Sequence, residues 1–405
     1  MQTERRTQII LVLVAVASAF GQFGAVTSLG DVARHFADFH SARSLQSQVG
    51  LSTTMLGTGL AVLRLASLAS LPLSALADRY GRARVLRRIV TLGLIFTALA
   101  AFSPGYWWFV FLFACARPLL SATNSLIQVI VTEISSDRVR VHRLAWLAAG
   151  AGGGAGLSAV LHGFVRGDNS FRILFSLAMV PVVVLWPLLQ RIDETHPHDR
   201  DRSLPRLGVV PQELRGRVAI LSTLAGVIAL VSGPANSFAF VYGERVLHIP
   251  PSRVALVVSS SAILGLGGLL ASRWSAHRFG RRRTVLIGTL ATAVTSTVAY
   301  FGGEVLFTGG YLVGVAAAAY LAPAASALTT ESFPKQYRAT AAGWVVVSGV
   351  LGATLGLFVF GAVGDALNVA GQSALRIPSL VTFLPLLPLT FLVLRLPETR
   401  GTEIN

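Results

Sequence analysis

Apolar residues run through this chain in long blocks, with polar residues gathered in short clusters between them. A helix needs about 20 mainly apolar residues to cross ~30 Å of hydrocarbon. Twelve blocks reach that length. Six lie near 8–29, 47–76, 85–103, 107–131, 143–164 and 171–190, and six more near 218–242, 252–272, 284–302, 306–328, 340–363 and 376–395. The elements are helices, because in lipid each backbone N–H and C=O must be satisfied within its own segment. The pattern predicts an all-α integral membrane protein with a six-helix bundle over 1–190, a polar cytoplasmic linker over 191–217 and a second bundle over 218–405.

Composition agrees. Of 405 residues, 53% are hydrophobic and 13% charged, against roughly 25% charged in soluble domains. So few charges leave much of the surface to face lipid. The net charge of +16 raises nucleic acid as a partner, and its distribution excludes that reading. Seven Lys/Arg fall on the outer side of the twelve-span topology: Arg34, Arg43, Arg166, Arg172, Arg245, Arg253 and Arg376. Two, Arg64 and Arg117, lie inside spans, and the remaining 25 of 34 lie in the N-terminal arm, the inner loops and the C-terminal tail. That bias is the positive-inside rule, and it places both termini in the cytoplasm. The basic, apolar N-terminus also has the look of a signal peptide, but its apolar run continues to about residue 29 and its loss would leave an odd number of spans. The single Cys115 lies in a span, where it reads as a small packing residue.

The chain also repeats itself. DRYGRARVL (78–86) follows the second span and HRFGRRRTVL (277–286) the eighth, with Gly81 and Gly280 corresponding. TEISSDRVRVHRLAW (132–146) follows the fourth span and TESFPKQYRATAAGW (330–344) the tenth, matching Glu133 with Glu331, Arg140 with Arg338 and Trp146 with Trp344. Two loops repeating at offsets that differ by one residue describe two six-helix halves in the same orientation, an architecture of transporters whose solute site lies between the halves.

On these residues the chain resembles the major facilitator superfamily. Its signature between the second and third spans, roughly G-x-x-x-D-R-x-G-R-R, appears here as SALADRYGRA, with Ser74 for the first Gly and Ala83 for the last Arg. The Glu…Arg loops and the ending LPETRG (396–401) look like the branch of sugar porters and organic-ion transporters. The resemblance implies a monomer that works by alternating access. It also implies that Asp78 faces the start of the eleventh helix, where an anion favours a helix N-terminus. Asp78, Arg79, Gly81, Arg82, Glu133 and Arg140 in one half, and Arg278, Gly280, Arg281, Glu331 and Arg338 in the other, are the gating candidates, with Glu398 joining one cluster. His277 stands where the second copy would carry the acid, so the two gates differ. The plainer reading is that these charges fix topology and solvate loops. Exposed pairs contribute only ~0–1 kcal/mol each, so gating needs a network.

For solute binding, charge within a span is the first signal. None of the eighteen acids lies in mid-span, and two arginines do. Arg117 is followed by Ser121, Asn124 and Gln128 at helical spacing, so one polar stripe marks the fourth helix. Arg64 lies in the second helix, with Ser67, Ser74 and Asp78 along its face. Guanidinium groups with no mid-span carboxylate favour an anionic solute; the alternative is that each arginine bonds backbone carbonyls or snorkels. Gln22, Asn236, Tyr311 and Tyr320 are further lining candidates, each also able to serve as interhelical glue. The glycine runs GAGGGAG (150–156) and GVLGATLG (349–356) read as sites of close helix approach.

The function these features imply is secondary active transport of a small organic solute, leaning to organic anions and coupled to protons. No nucleotide-binding motif, metal site or cofactor is expected, and no enzyme motif is visible. Asp78, Glu133, His162 or the solute itself would carry the proton. A proton-driven exporter of drugs or metabolites is the alternative, weakened because the Gly-Pro that family antiporters often carry in the fifth helix is absent. A membrane receptor or scaffold on the same fold is the alternative of another class, and the short loops argue against it. Arginine-, alanine- and glycine-rich composition suggests a bacterial inner membrane.

Overall fold

The computed structural model describes residues 2–37, 44–135, 137–165, 169–192, 194, 210–367 and 369–398. Twelve long helical segments follow one another: α1 Gln2–Thr27, α2 Thr53–Tyr80, α3 Arg82–Leu99, α4 Tyr106–Ile134, α5 Asp137–Phe164 and α6 Ser170–Leu189 in the first half, then α7 Gln212–Ser237, α8 Pro251–Phe279, α9 Arg281–Val298, α10 Glu304–Glu331, α11 Lys335–Leu367 and α12 Arg376–Arg395. A seven-residue helix, Leu29–His35, prolongs α1 past a break at Ser28. Eleven of the segments are long and apolar enough to cross a membrane. The span expected over 284–302 falls on α9, which is 18 residues long, opens with three arginines and is rich in threonine. Most of the linker expected over 191–217 lies outside the described residues, and its last part is already α7.

The described helices leave large apolar side chains bare where a soluble protein would place charge. Along α8, Ile263, Leu266 and Leu270 are each more than 60% exposed at spacings of three and four. Such a stripe is a lipid-facing surface.

The chain folds as two compact units, one of residues 1–36 with 66–205 and the other of residues 37–65 with 206–405. Within the first, α1 packs along α5 and α3 along α4; within the second, α7 packs along α11 and α9 along α10. The repeat seen in the loops is thus a repeat of packing. The unit boundary, however, falls inside α2. Residues Ser67–Ala69 form a 3-10 turn there, dividing α2 into Thr53–Ala66 and Ser70–Tyr80. The first piece of α2 therefore packs with the second half of the chain.

Small residues set the closest packing. A Cβ on Gly154 of α5 would run into the carbonyl of Val16 on α1, and one on Gly352 or Gly356 of α11 into the carbonyls of Gly226 or Leu230 on α7. Those are matching helix pairs in the two units, as the glycine runs suggested. Gly152, Gly153 and Gly156 meet nothing within 4 Å.

Candidate functional site

The loop after α2 is shorter than its motif suggested. α2 runs to Tyr80 and α3 starts at Arg82, so Gly81 alone makes the turn, at φ 97°. Gly280 does the same between α8 and α9 at φ 90°. Side chains with a Cβ rarely adopt this conformation, which accounts for glycine at both positions.

Each turn aims an arginine at a carboxylate. Asp78 Oδ1 accepts hydrogen bonds from Arg82 at 2.8 and 3.0 Å, and Arg82 also forms an ion pair with Glu133. In the other unit Arg281 pairs with Glu331 at 3.3 Å. A second carboxylate caps the helix that each turn opens. Glu398 accepts from the backbone N–H groups of Arg281 and Arg282 at 2.8 and 3.3 Å. Glu194 accepts from Ala83 and Arg84 at 3.1 and 2.9 Å. These carboxylates occupy helix N-termini, where unpaired N–H groups and the helix dipole favour an anion. Glu398 and Glu194 are counterparts in sequence too, since RLPET (395–399) repeats RIDET (191–195) after the last helix of each half. Arg338 donates to the Phe333 carbonyl at 2.9 Å, and the Arg140 side chain lies outside the described residues. Arg79 and Arg278 lie over neighbouring aromatic rings, Tyr80 and Trp274.

In the first unit, Arg117 and Gln22 come together. The guanidinium donates to the Gln22 carbonyl at 3.3 Å, Ser121 Oγ donates to Gln22 Oε1 at 3.3 Å, and the Gln22 amide donates to Ser18 at 3.2 Å. Ser18 in turn donates to the Leu120 carbonyl at 3.0 Å, closing a polar patch between α1 and α4. Asn124 continues the stripe one turn on, its Oδ1 buried without a hydrogen-bond partner among the described residues. Gln128 is exposed.

In the second unit a cavity of about 140 Å³ lies among α7, α9 and α10. Asn236 and Tyr311 line it with Ser232, Thr292, Ser296 and Tyr300. Two of the four weaker candidates therefore meet in one uncharged, hydroxyl-rich pocket. Tyr320 does not line it. Its hydroxyl donates to Ser275 at 2.5 Å, and Ser275 shares a hydrogen bond with Thr284, so Tyr320 ties α10 to α8 and α9. Arg64 falls in the other unit from Arg117, on the first piece of α2 just before its 3-10 turn.

Sequence reading passed over two acids at span ends. Asp31 is only 7% exposed and faces His162. Asp365, near the end of α11, receives the backbone N–H groups of Thr53 and Thr54 at 2.8 and 2.9 Å and the Thr53 hydroxyl at 2.8 Å. It caps the first piece of α2. Both acids lie where a span edge looked like a loop, and only their partners on other helices show that they are engaged.

Comparison with known proteins gives this architecture a lineage. The chain is 24% identical over 350 residues to a Haemophilus influenzae protein whose name proposes metabolite transport, covering 82% of this chain and 84% of that one. It is 25% identical over 343 residues to the cis,cis-muconate transport protein of Acinetobacter baylyi, covering 78% and 80%. Among solved structures, a D-xylose–proton symporter superposes with a TM-score of 0.71 at 19% identity, over 98% of this chain and 99% of that one. The sequence model of the Major Facilitator Superfamily matches residues 11–277 and 245–404. With its repeated loops, its paired bundles and a family match along nearly its whole length, the chain belongs to the major facilitator superfamily and is a membrane transporter.

Proposed function

We propose that this transporter carries small organic anions, carboxylates foremost, in symport with protons across a bacterial inner membrane with both termini in the cytoplasm. Arg117 carries the reading. It is a guanidinium in the middle of α4, on a stripe with Ser121 and Asn124 and against Gln22. A guanidinium held at that depth suits a carboxylate, which it binds through two parallel hydrogen bonds. Transport of cis,cis-muconate, a dicarboxylate, by a relative agrees with this chemistry.

The test is a thermal-shift screen of purified protein with dicarboxylates, organic cations and neutral sugars, using cis,cis-muconate as the first probe. A ligand at 100 times its Kd stabilises by about 2.7 kcal/mol. Stabilisation by carboxylates in the wild type and its loss in Arg117→Ala is the expected result. Stabilisation by cations or sugars alone would reject the anion reading.

A further inference from the structure

We infer that the buried Asp31–His162 pair, where the extension of α1 meets the far end of α5, is the proton-binding site of this transporter. The inference rests on the symport reading above and adds the group that holds the proton.

Asp31 is 7% exposed and His162 2%. His162 Nδ1 lies 3.5 Å from Asp31 Oδ2, and the same oxygen accepts a hydrogen bond from the buried hydroxyl of Ser170 on α6. Around them, Leu29, Val32, Phe171 and Phe175 are buried and apolar. Among the described residues, the ionisable groups that the neighbouring elements bring to this end of the unit are His162 from α5, Arg172 from α6, and Arg34 and His35 from the helix of Asp31 itself; α4 brings the ring of Tyr106. Arg172 and His35 lie 3.1 Å apart, and Arg34 is exposed.

Two titratable groups in apolar surroundings exchange protons as a unit, and an imidazole changes charge near neutral pH more readily than any other side chain. With Asp31 ionised and His162 neutral, the pair carries one negative charge. One proton from water makes it neutral, as carboxylate with imidazolium or as carboxylic acid with imidazole, and the same proton returns to water on release. A change in water access between transport states lets the proton enter from one side and leave to the other.

The pair is also connected to the proposed solute site. One turn before it on both helices, Thr27 and Ser158 share a hydrogen bond of 3.2 Å, and both are fully buried. Thr27 and Asp31 on the α1 side, and Ser158 and His162 on α5, thus form two successive polar rungs across one helix interface. The carbonyl of Val16, against which Gly154 closes that interface, lies on the same α1 that offers Gln22 to Arg117. Gln22 lies on α1, and Asp31 on the short helix that prolongs α1 past the break at Ser28. An anion that draws Arg117 away from the Gln22 carbonyl acts on α1, which the helix of the acid prolongs.

The first experiment needs no solute. Infrared titration of the protein in lipid should show a protonation band of the pair, a carboxylic-acid C=O or an imidazolium ring mode, that forms as pH falls and is lost or moved in midpoint in both Asp31→Asn and His162→Gln. Asparagine keeps an oxygen for Ser170, so the fold has its partner. An unchanged band in Asp31→Asn, or an unmoved midpoint in His162→Gln, overturns the proposal. The second experiment uses proteoliposomes and cis,cis-muconate. Asp31→Asn should lose uphill accumulation under a proton gradient while keeping exchange of labelled for unlabelled muconate, and Asp31→Glu should regain accumulation. Loss of accumulation and exchange together in a folded Asp31→Asn, or accumulation undiminished, also overturns it. If the wild type ignores muconate, the solute assignment fails and the infrared result alone decides the proton site.

Discussion

Arg82 holds two carboxylates at once, Asp78 one turn back on α2 and Glu133 at the end of α4. Among the described residues its counterpart Arg281 pairs with one carboxylate, Glu331, and His277 occupies the position of the first acid. Removing one partner of a half-buried pair costs more than the pair contributes, since the other charge is left behind. Double-mutant cycles read by thermal denaturation should therefore find Arg82→Gln and Glu133→Gln coupled by about 1 kcal/mol or more, and Arg281→Gln with Glu331→Gln by less. Equal coupling in both units would mean that Asp78 adds nothing to its cluster. These arginines and their acids were legible in the sequence because they sit in repeated loops. Glu194 was legible in the same way, because RIDET (191–195) repeats the RLPET (395–399) that carries Glu398. Asp31 looked like a loop residue, because its partner is set by packing against α5, which no local pattern encodes.

At the scale of elements, the glycines sort by what lies opposite them. A Cβ on Gly154 or Gly356 would meet a backbone carbonyl, which cannot move aside as a flexible side chain can. Gly154→Val and Gly356→Val should destabilise by ~1–3 kcal/mol. Gly153→Ala, with open space around it, should leave stability within about 0.5 kcal/mol of wild type. Thermal unfolding in detergent compares the three. A loss in Gly153→Ala as large as in Gly154→Val would mean that the run as a whole, rather than its contact positions, matters. The runs were visible in sequence as glycine-rich blocks, but which members touch a neighbour follows from helix register alone. Part of the α4 stripe was readable for a complementary reason: helical spacing within one element is a local property, and Arg117, Ser121 and Asn124 needed no partner to reveal their common face, whereas Gln128, read with them, is exposed.

The whole chain follows its repeat in sequence and in packing, yet its compact units do not divide where the repeat does. The linker marks the end of the sixth helix, whereas residues 37–65 cluster with the second half. Asp365 helps hold them there by capping the start of α2, and Gly57 and Gly361 let α2 and α11 close to backbone contact. Asp365→Ala should speed hydrogen–deuterium exchange at the amides of Thr53 and Thr54 and leave the second piece, Ser70–Tyr80, unchanged. Equal acceleration along both pieces would show that α2 responds as one rod despite its 3-10 turn.

That turn has a practical consequence for recombining this protein with its relatives. A hybrid joined at the polar linker would give a native second half a foreign stretch of α2, with no assurance of the two threonine amides that Asp365 receives or of the glycine that lets α11 approach. The natural seam for such a graft lies at Leu65–Ala66, with residues 37–65 inherited alongside everything after the linker.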